Sequence, residues 1–144
     1  MAPARERGFT LFELLVVIAL LAVALPLLAV GIGRGLQGAS ERSALNEMVA
    51  TLRSARVQAI ASGEPVRATF DLAQRRAMTP GRKAVQWPDA FTVRLNTAQT
   101  LGAAFEFYPD GAASGGNIQI SRDTARWRID VNWLTGNVTL KALP

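Results

Sequence analysis

Apolar and polar positions divide the chain into three differently patterned stretches. Residues 14–33, LLVVIALLAVALPLLAVGIG, run for twenty positions without a charge. At about 1.5 Å per residue they predict a helix roughly 30 Å long, enough for the hydrocarbon core of a bilayer. After Gly38, Leu45, Met48, Val49, Leu52, Ala55, Ala59 and Ile60 recur at a spacing of three or four, while Arg42, Glu47, Arg53 and Gln58 fall mostly off that stripe. This is one face of an amphipathic helix. Ser62-Gly63-Glu64-Pro65 closes it, with glycine available as a left-handed cap and proline blocking continuation. The apolar helix is expected to run on into the amphipathic one as a single spine ending near Ser62.

Beyond Pro65 the period becomes two. Val66, Ala68, Phe70 and Leu72 alternate with Arg67, Thr69 and Asp71; Phe91, Val93 and Leu95 alternate with Thr92 and Arg94. Phe105 and Phe107 flank Glu106, and Ile118 and Ile120 flank Gln119. Trp127, Ile129, Val131 and Trp133 share one side of the next run, and Thr135-Gly136-Asn137 turns the chain into Val138, Leu140 and Lys141. Six short strands, each buried on one side, predict antiparallel sheet with the amphipathic helix over an apolar face. The expected class is α+β. No internal repeat is evident.

Within the apolar run, Pro26 removes one helical hydrogen bond, so a kink or loosening is expected there. Gly31, Gly33, Gly35 and Gly38 follow, each about 1 kcal/mol worse than alanine in a helix. Gly31 and Gly35 form a GxxxG pair suited to close helix packing; equally, the stretch is suited to local unwinding. Arg5 and Arg7 precede the run and only Arg34 follows closely, which favours a cytoplasmic N-terminus and a translocated remainder. Ala22-Val23-Ala24 offers a secretory cleavage site, but the apolar run continues past it to Val30. Neither a cleaved signal nor a plain anchor explains Glu13, a carboxylate at the lip of the span, where such a group needs a partner.

Arg7-Gly8-Phe9-Thr10-Leu11-Phe12-Glu13 is a basic leader, a glycine, an aromatic residue and then an acid. It resembles the class III signal of type IV pilins and type II secretion pseudopilins. The resemblance implies cleavage between Gly8 and Phe9 by a prepilin peptidase and methylation of the new Phe9 amine. Glu13 is then the fifth residue of the mature chain. An α-amine with a pKa of about 8 is largely cationic at neutral pH. Glu13 of an incoming subunit would neutralise the Phe9 amine of its neighbour and fix axial register, because an unpaired charge there is costly.

Composition narrows the chemistry. The 144 residues contain no histidine and no cysteine, which excludes histidine bases, thiol catalysis and zinc-thiolate sites. Lys83 and Lys141 are the two lysines, and no spacing among the carboxylates marks a catalytic dyad. An enzyme is therefore disfavoured, and no cofactor or metal site is read, although a carbonyl-rich Ca²⁺ site would leave little trace in a loop sequence. Sixteen Lys and Arg against eleven Asp and Glu give a charge of +5, which permits an anionic partner. Arg75, Arg76, Arg82 and Lys83 cluster in the stretch 71–89, read as a loop that is either solvated or in contact with an anionic neighbour. No aromatics are interleaved, which disfavours nucleic acid.

The loop Pro109-Asp110-Gly111-Ala112-Ala113-Ser114-Gly115-Gly116 lacks the ending of a phosphate-binding loop and reads as a hairpin connection. Preceded by Phe107-Tyr108 and followed by Trp133-Leu134-Thr135-Gly136, it looks like the C-terminal pattern of the H-type minor pseudopilins of type II secretion. With the N-terminal signal the resemblance frames the chain, leaving residues 74–102 unmatched. It implies a cleaved leader (1–8), an apolar helix serving as membrane span and filament core (9–33), its amphipathic continuation (34–62) and an antiparallel β domain in the periplasm (63–144). It further implies an inner-membrane protein near the tip of a pseudopilus that exports folded proteins, joining the other minor subunits to the major one. The partners implied are the other minor and the major pseudopilins, the prepilin peptidase and the inner-membrane assembly platform, with cargo or the outer-membrane secretin as further candidates. The alternative is a minor pilin of a type IV pilus with a role in DNA uptake, which the basic loop favours and the Pro-Asp-Gly and Leu-Thr-Gly patterns disfavour.

Overall fold

The computed structural model describes residues 9–144, apart from the side chains of 27–37. The order is α1 (Leu11–Ser62), β1 (Val66–Asp71), β2 (Arg76–Met78), β3 (Val85–Gln86), β4 (Thr92–Asn96), a 3₁₀ turn (Gln99–Leu101), β5 (Ala104–Phe107), β6 (Gly116–Arg122), β7 (Ala125–Val131) and β8 (Val138–Leu143). The chain forms two compact units, Met1–Ala39 and Ser40–Pro144.

In the first unit the helix shows no dry face. Leu11, Phe12, Leu14, Ile18, Leu21 and Leu25 are all exposed, and Pro26 lies inside the helix. Gly31, Gly33 and Gly35 fall within the helix bounds, in the part whose side chains are outside the description. Among the described residues no helix is long and apolar enough to cross a membrane; the uncharged run 14–33 extends into that same undescribed part.

The second unit is built on the stripe of α1 that the 3–4 spacing picks out. Leu45, Met48, Val49, Leu52, Ala55 and Ala59 are buried. Ile60 is not: it continues the Val49–Arg53–Arg56 row on the flank rather than the Met48–Leu52–Ala55–Ala59 row, and it lies half exposed. Gly63, at φ +71, caps the helix, with its N–H donating to the Ala59 carbonyl at 3.0 Å.

Two antiparallel sheets complete the unit, ordered β3-β2-β1-β5 and β4-β6-β7-β8. Their inner faces, Ala68, Phe70, Phe105 and Phe107 from one and Ile118, Ile120, Ile129, Val131 and Val138 from the other, join the helix stripe in one core. Polar links fix the helix on the sheets. Glu41 pairs with Arg122 of β6, Arg53 Nη2 donates to the Val138 carbonyl at 2.9 Å, and Thr79 Oγ1 donates to the Thr51 carbonyl at 3.2 Å.

Among the described residues there are eight strands, two more than alternation predicts. β2 and β3 lie in the stretch read as a basic loop; at three and two residues they are too short to show a period. Pairing makes them: β2 on β1 through Thr69–Met78, Phe70–Ala77 and Asp71–Arg76, and β3 on β2 through Arg76–Gln86 and Ala77–Val85. Two predicted inward positions also turn out exposed. Leu72 follows the end of β1, where Asp71 Oδ1 accepts the Gln74 N–H and turns the chain. Trp133 follows the end of β7, where Asn132 Oδ1 accepts the N–H groups of Leu134 and Thr135.

Phe105 tests the core. It is fully buried and stands edge-on to Phe70 at a centroid distance of 5.9 Å. Phe105→Ala is expected to cost about 3–5 kcal/mol, read by chemical denaturation of the full-length chain in an uncharged detergent. A loss below about 1 kcal/mol would mean that the two sheets do not share this core.

Candidate functional site

The segment that carries the processing pattern begins at the edge of the described residues. Gly8 lies outside them; Phe9 is 80 % exposed. Thr10 is the N-cap of α1: its Oγ1 accepts the Glu13 N–H at 3.2 Å and its carbonyl accepts the Leu14 N–H at 3.1 Å. Thr10-Leu11-Phe12-Glu13 thus carries the threonine-to-glutamate spacing of a capping box, a signal present in the sequence that the reading above passed over. It places the Glu13 carboxylate in the first helical turn, exposed, where the helix dipole favours a negative charge. The hydrogen bond to Thr10 uses only the Glu13 main chain, and the carboxylate stands exposed.

The four cations singled out in the stretch 71–89 are mostly occupied within the fold. Arg75 pairs with Asp89 at 2.7 Å, and Arg76 approaches Asp71 at 3.9 Å. Arg82 donates from Nη1 to the Ala50 carbonyl of α1 at 3.3 Å. Arg76, Arg82 and Lys83 do share a shallow surface depression, but Glu47 lines it with them. Three of the four thus tie the β2–β3 hairpin to its surroundings.

The two glycine-bearing loops meet on the helix. Arg56 Nε donates to the Gly111 carbonyl at 3.0 Å. Gly136, at φ +63, sits so close that a Cβ there would lie 2.1 Å from that same oxygen and 2.8 Å from Arg56 Nε. The Ala113 N–H donates to the Trp133 carbonyl at 2.9 Å, and a Cβ on Gly116 would lie 2.2 Å from the Asn96 carbonyl oxygen. Pro109-Asp110-Gly111, Ser114-Gly115-Gly116 and Trp133-Leu134-Thr135-Gly136 are therefore one junction, bonded to the helix through Arg56. Nothing in the sequence pattern pointed to Arg56, because its partner lies 55 residues away.

With this geometry in hand, likeness to known proteins decides the family. A model described as "Type II transport protein GspH" matches residues 44–136, and the prokaryotic N-terminal methylation motif matches residues 3–25. The chain belongs to the GspH family. Type II secretion system protein H of Xanthomonas campestris pv. campestris is 42 % identical over 137 residues, covering 92 % of this chain and 81 % of that protein. GspH proteins are structural rather than catalytic, in keeping with a chain that has no histidine or cysteine.

The fold agrees, and only the fold is at stake in the structural likenesses. The minor pseudopilin EpsH of Vibrio cholerae aligns with a TM-score of 0.55 at 13 % identity, over 72 % of this chain and 96 % of that one. The type IV minor pilin FimU of Pseudomonas aeruginosa aligns with a TM-score of 0.59 at 14 % identity, over 74 % and 95 %. The GspH fold is thus the α+β pilin type, with the N-terminal helix packed on antiparallel sheets, and pilus and secretion subunits share it. The GspH sequence match, not the shape, separates the two systems.

The junction of loops yields a direct test. At Gly136 the close approach leaves no room for a side chain, so Gly136→Ala is expected to cost about 2–4 kcal/mol from left-handed strain and the clash with the Gly111 oxygen. Gly81→Ala, at φ +70 but with open space around it, should cost only about 1–2 kcal/mol. Thermal melts of both variants should rank them in that order; equal shifts would dissolve the junction.

Proposed function

We propose that this GspH-family chain is a minor pseudopilin of the type II secretion system, a structural subunit near the tip of the pseudopilus. The uncovered apolar helix is the observation that carries the reading. Residues 11–26 present large apolar side chains to solvent on every side, which is stable only in lipid or against other helices. A pseudopilin uses both environments in turn. The first unit anchors the subunit in the inner membrane with its N-terminus in the cytoplasm, then packs in the filament core; the second lies in the periplasm.

The leader is removed between Gly8 and Phe9 by a prepilin peptidase, and Phe9 is methylated. Exposed at the start of α1, the Glu13 carboxylate then meets the Phe9 amine of a neighbouring subunit and sets register. The partners are the other minor pseudopilins, the major pseudopilin and the inner-membrane assembly platform, with cargo and the secretin beyond them. No docking role is proposed for Arg75, Arg76, Arg82 and Lys83, of which two meet carboxylates and a third donates to a helix carbonyl.

Deletion of the chain, complemented by wild type, separates the two filament systems. Loss of exoprotein from the medium with intact twitching motility and DNA uptake is expected. Intact secretion with lost motility or uptake would make the chain a type IV pilin. Glu13→Ala should leave leader cleavage unchanged while lowering the amount of this chain co-isolated with the other minor pseudopilins. Wild-type levels in that complex would show that the charge pair is dispensable.

A further inference from the structure

The outward face of the sheet β4-β6-β7-β8 gathers charge that the sequence disperses. Register aligns Arg94 with Gln119, Gln119 with Arg128, and Arg128 with Lys141, across all four strands. Arg126 lies two residues from Arg128 on the same side of β7, about 7 Å away along the strand. The face thus carries four cationic side chains against a single acidic one, Asp130, among its described residues.

Asp130 neutralises part of this. It accepts from Arg128 Nε at 2.5 Å and lies 3.5 Å from Lys141 Nζ. Arg126 donates to the main-chain oxygen of Pro144 at 2.7 Å, and Arg94 has no carboxylate within ion-pair distance among the described residues. Like charges directly opposite across strands, such as Arg128 and Lys141, work against the sheet. Asp130 offsets that repulsion only in part, and Arg94 adds a further charge to the face. On the other side of the sheet β6 and β7 bury Ile118 and Ile129 completely, so the outer side chains stand on a packed core.

We propose that this face docks an acidic protein surface, a partner that presents clustered Asp and Glu side chains. Guanidinium groups on a fixed plane suit carboxylates, which they grip in pairs of parallel hydrogen bonds. Arg94, Gln119, Arg126 and Arg128 line one shallow depression, of about 360 Å³, and Arg128 and Lys141 border a second, so acidic side chains have recesses to enter. The outward positions of the strands include no aromatic residue, but Trp127 and the exposed Trp133 border the two depressions, so single-stranded nucleic acid is the competing occupant that the test separates. The choice of a protein over another polyanion also rests on the secretion reading above, in which the neighbours are proteins.

The test uses the full-length chain in an uncharged detergent and a fluorescent octaglutamate peptide, followed by anisotropy at low salt. The triple variant Arg94→Gln, Arg128→Gln, Lys141→Gln should bind at least tenfold more weakly. Arg75→Gln, Arg82→Gln, Lys83→Gln removes the same charge elsewhere and should change binding less than threefold. Both variants should retain the wild-type circular dichroism spectrum, because none of the six residues is buried. Equal losses in the two triples would reduce the effect to net charge and overturn the proposal, as would unchanged binding in the first. Single-stranded DNA of matched charge, or vesicles containing phosphatidylglycerol, binding this face more tightly than the peptide would replace the protein partner. None of these outcomes depends on the secretion phenotype, so the two readings fail separately.

Discussion

Water exclusion along helix α1 is the constraint from which the rest follows. One stretch of the helix has a stripe narrow enough for two sheets to cover, and that stripe, from Leu45 to Ala59, is buried. The stretch from Leu11 to Pro26 is apolar on every side and stays bare. No rearrangement of side chains removes that surface from water, because a helix apolar all round needs cover all round. The chain is therefore built to be finished by something outside itself.

Within the second unit the helix stripe and the sheets depend on each other. Six of the eight strands were legible because each buries one side, which forces strict alternation. β2 and β3 were not, because a two- or three-residue strand takes its conformation from its neighbour. The misplaced residues have related causes. Ile60 belongs to a helical row that drifts off the covered stripe, and Leu72 and Trp133 each stand just past the point where an Asp or Asn side chain turns the backbone. Periodicity reports burial well and says little about where a strand stops.

Charge was the least legible property. Of four cations close together in sequence, at 75–83, two meet Asp71 and Asp89 and a third donates to a helix carbonyl. Four others, spread from Arg94 to Lys141, are brought onto one face by strand register alone. The same contrast holds for the glycine loops. Their pattern was recognisable, but its physical content, a junction where Gly136 leaves room for the Gly111 carbonyl and Arg56 binds it, needed contacts across 55 residues. Thr10 is the opposite case, a local capping signal that was readable from the start.

The account stands or falls on where the apolar helix begins in the working protein. Mass spectrometry of the N-terminal peptide from membrane-isolated protein tests this directly. An N-methylated Phe9 as first residue is the predicted result: the whole apolar stretch is then retained, with Glu13 beside the new amine. A first residue just after Ala24 would contradict it, since most of the bare helix would be gone and the chain would be an ordinary secreted protein.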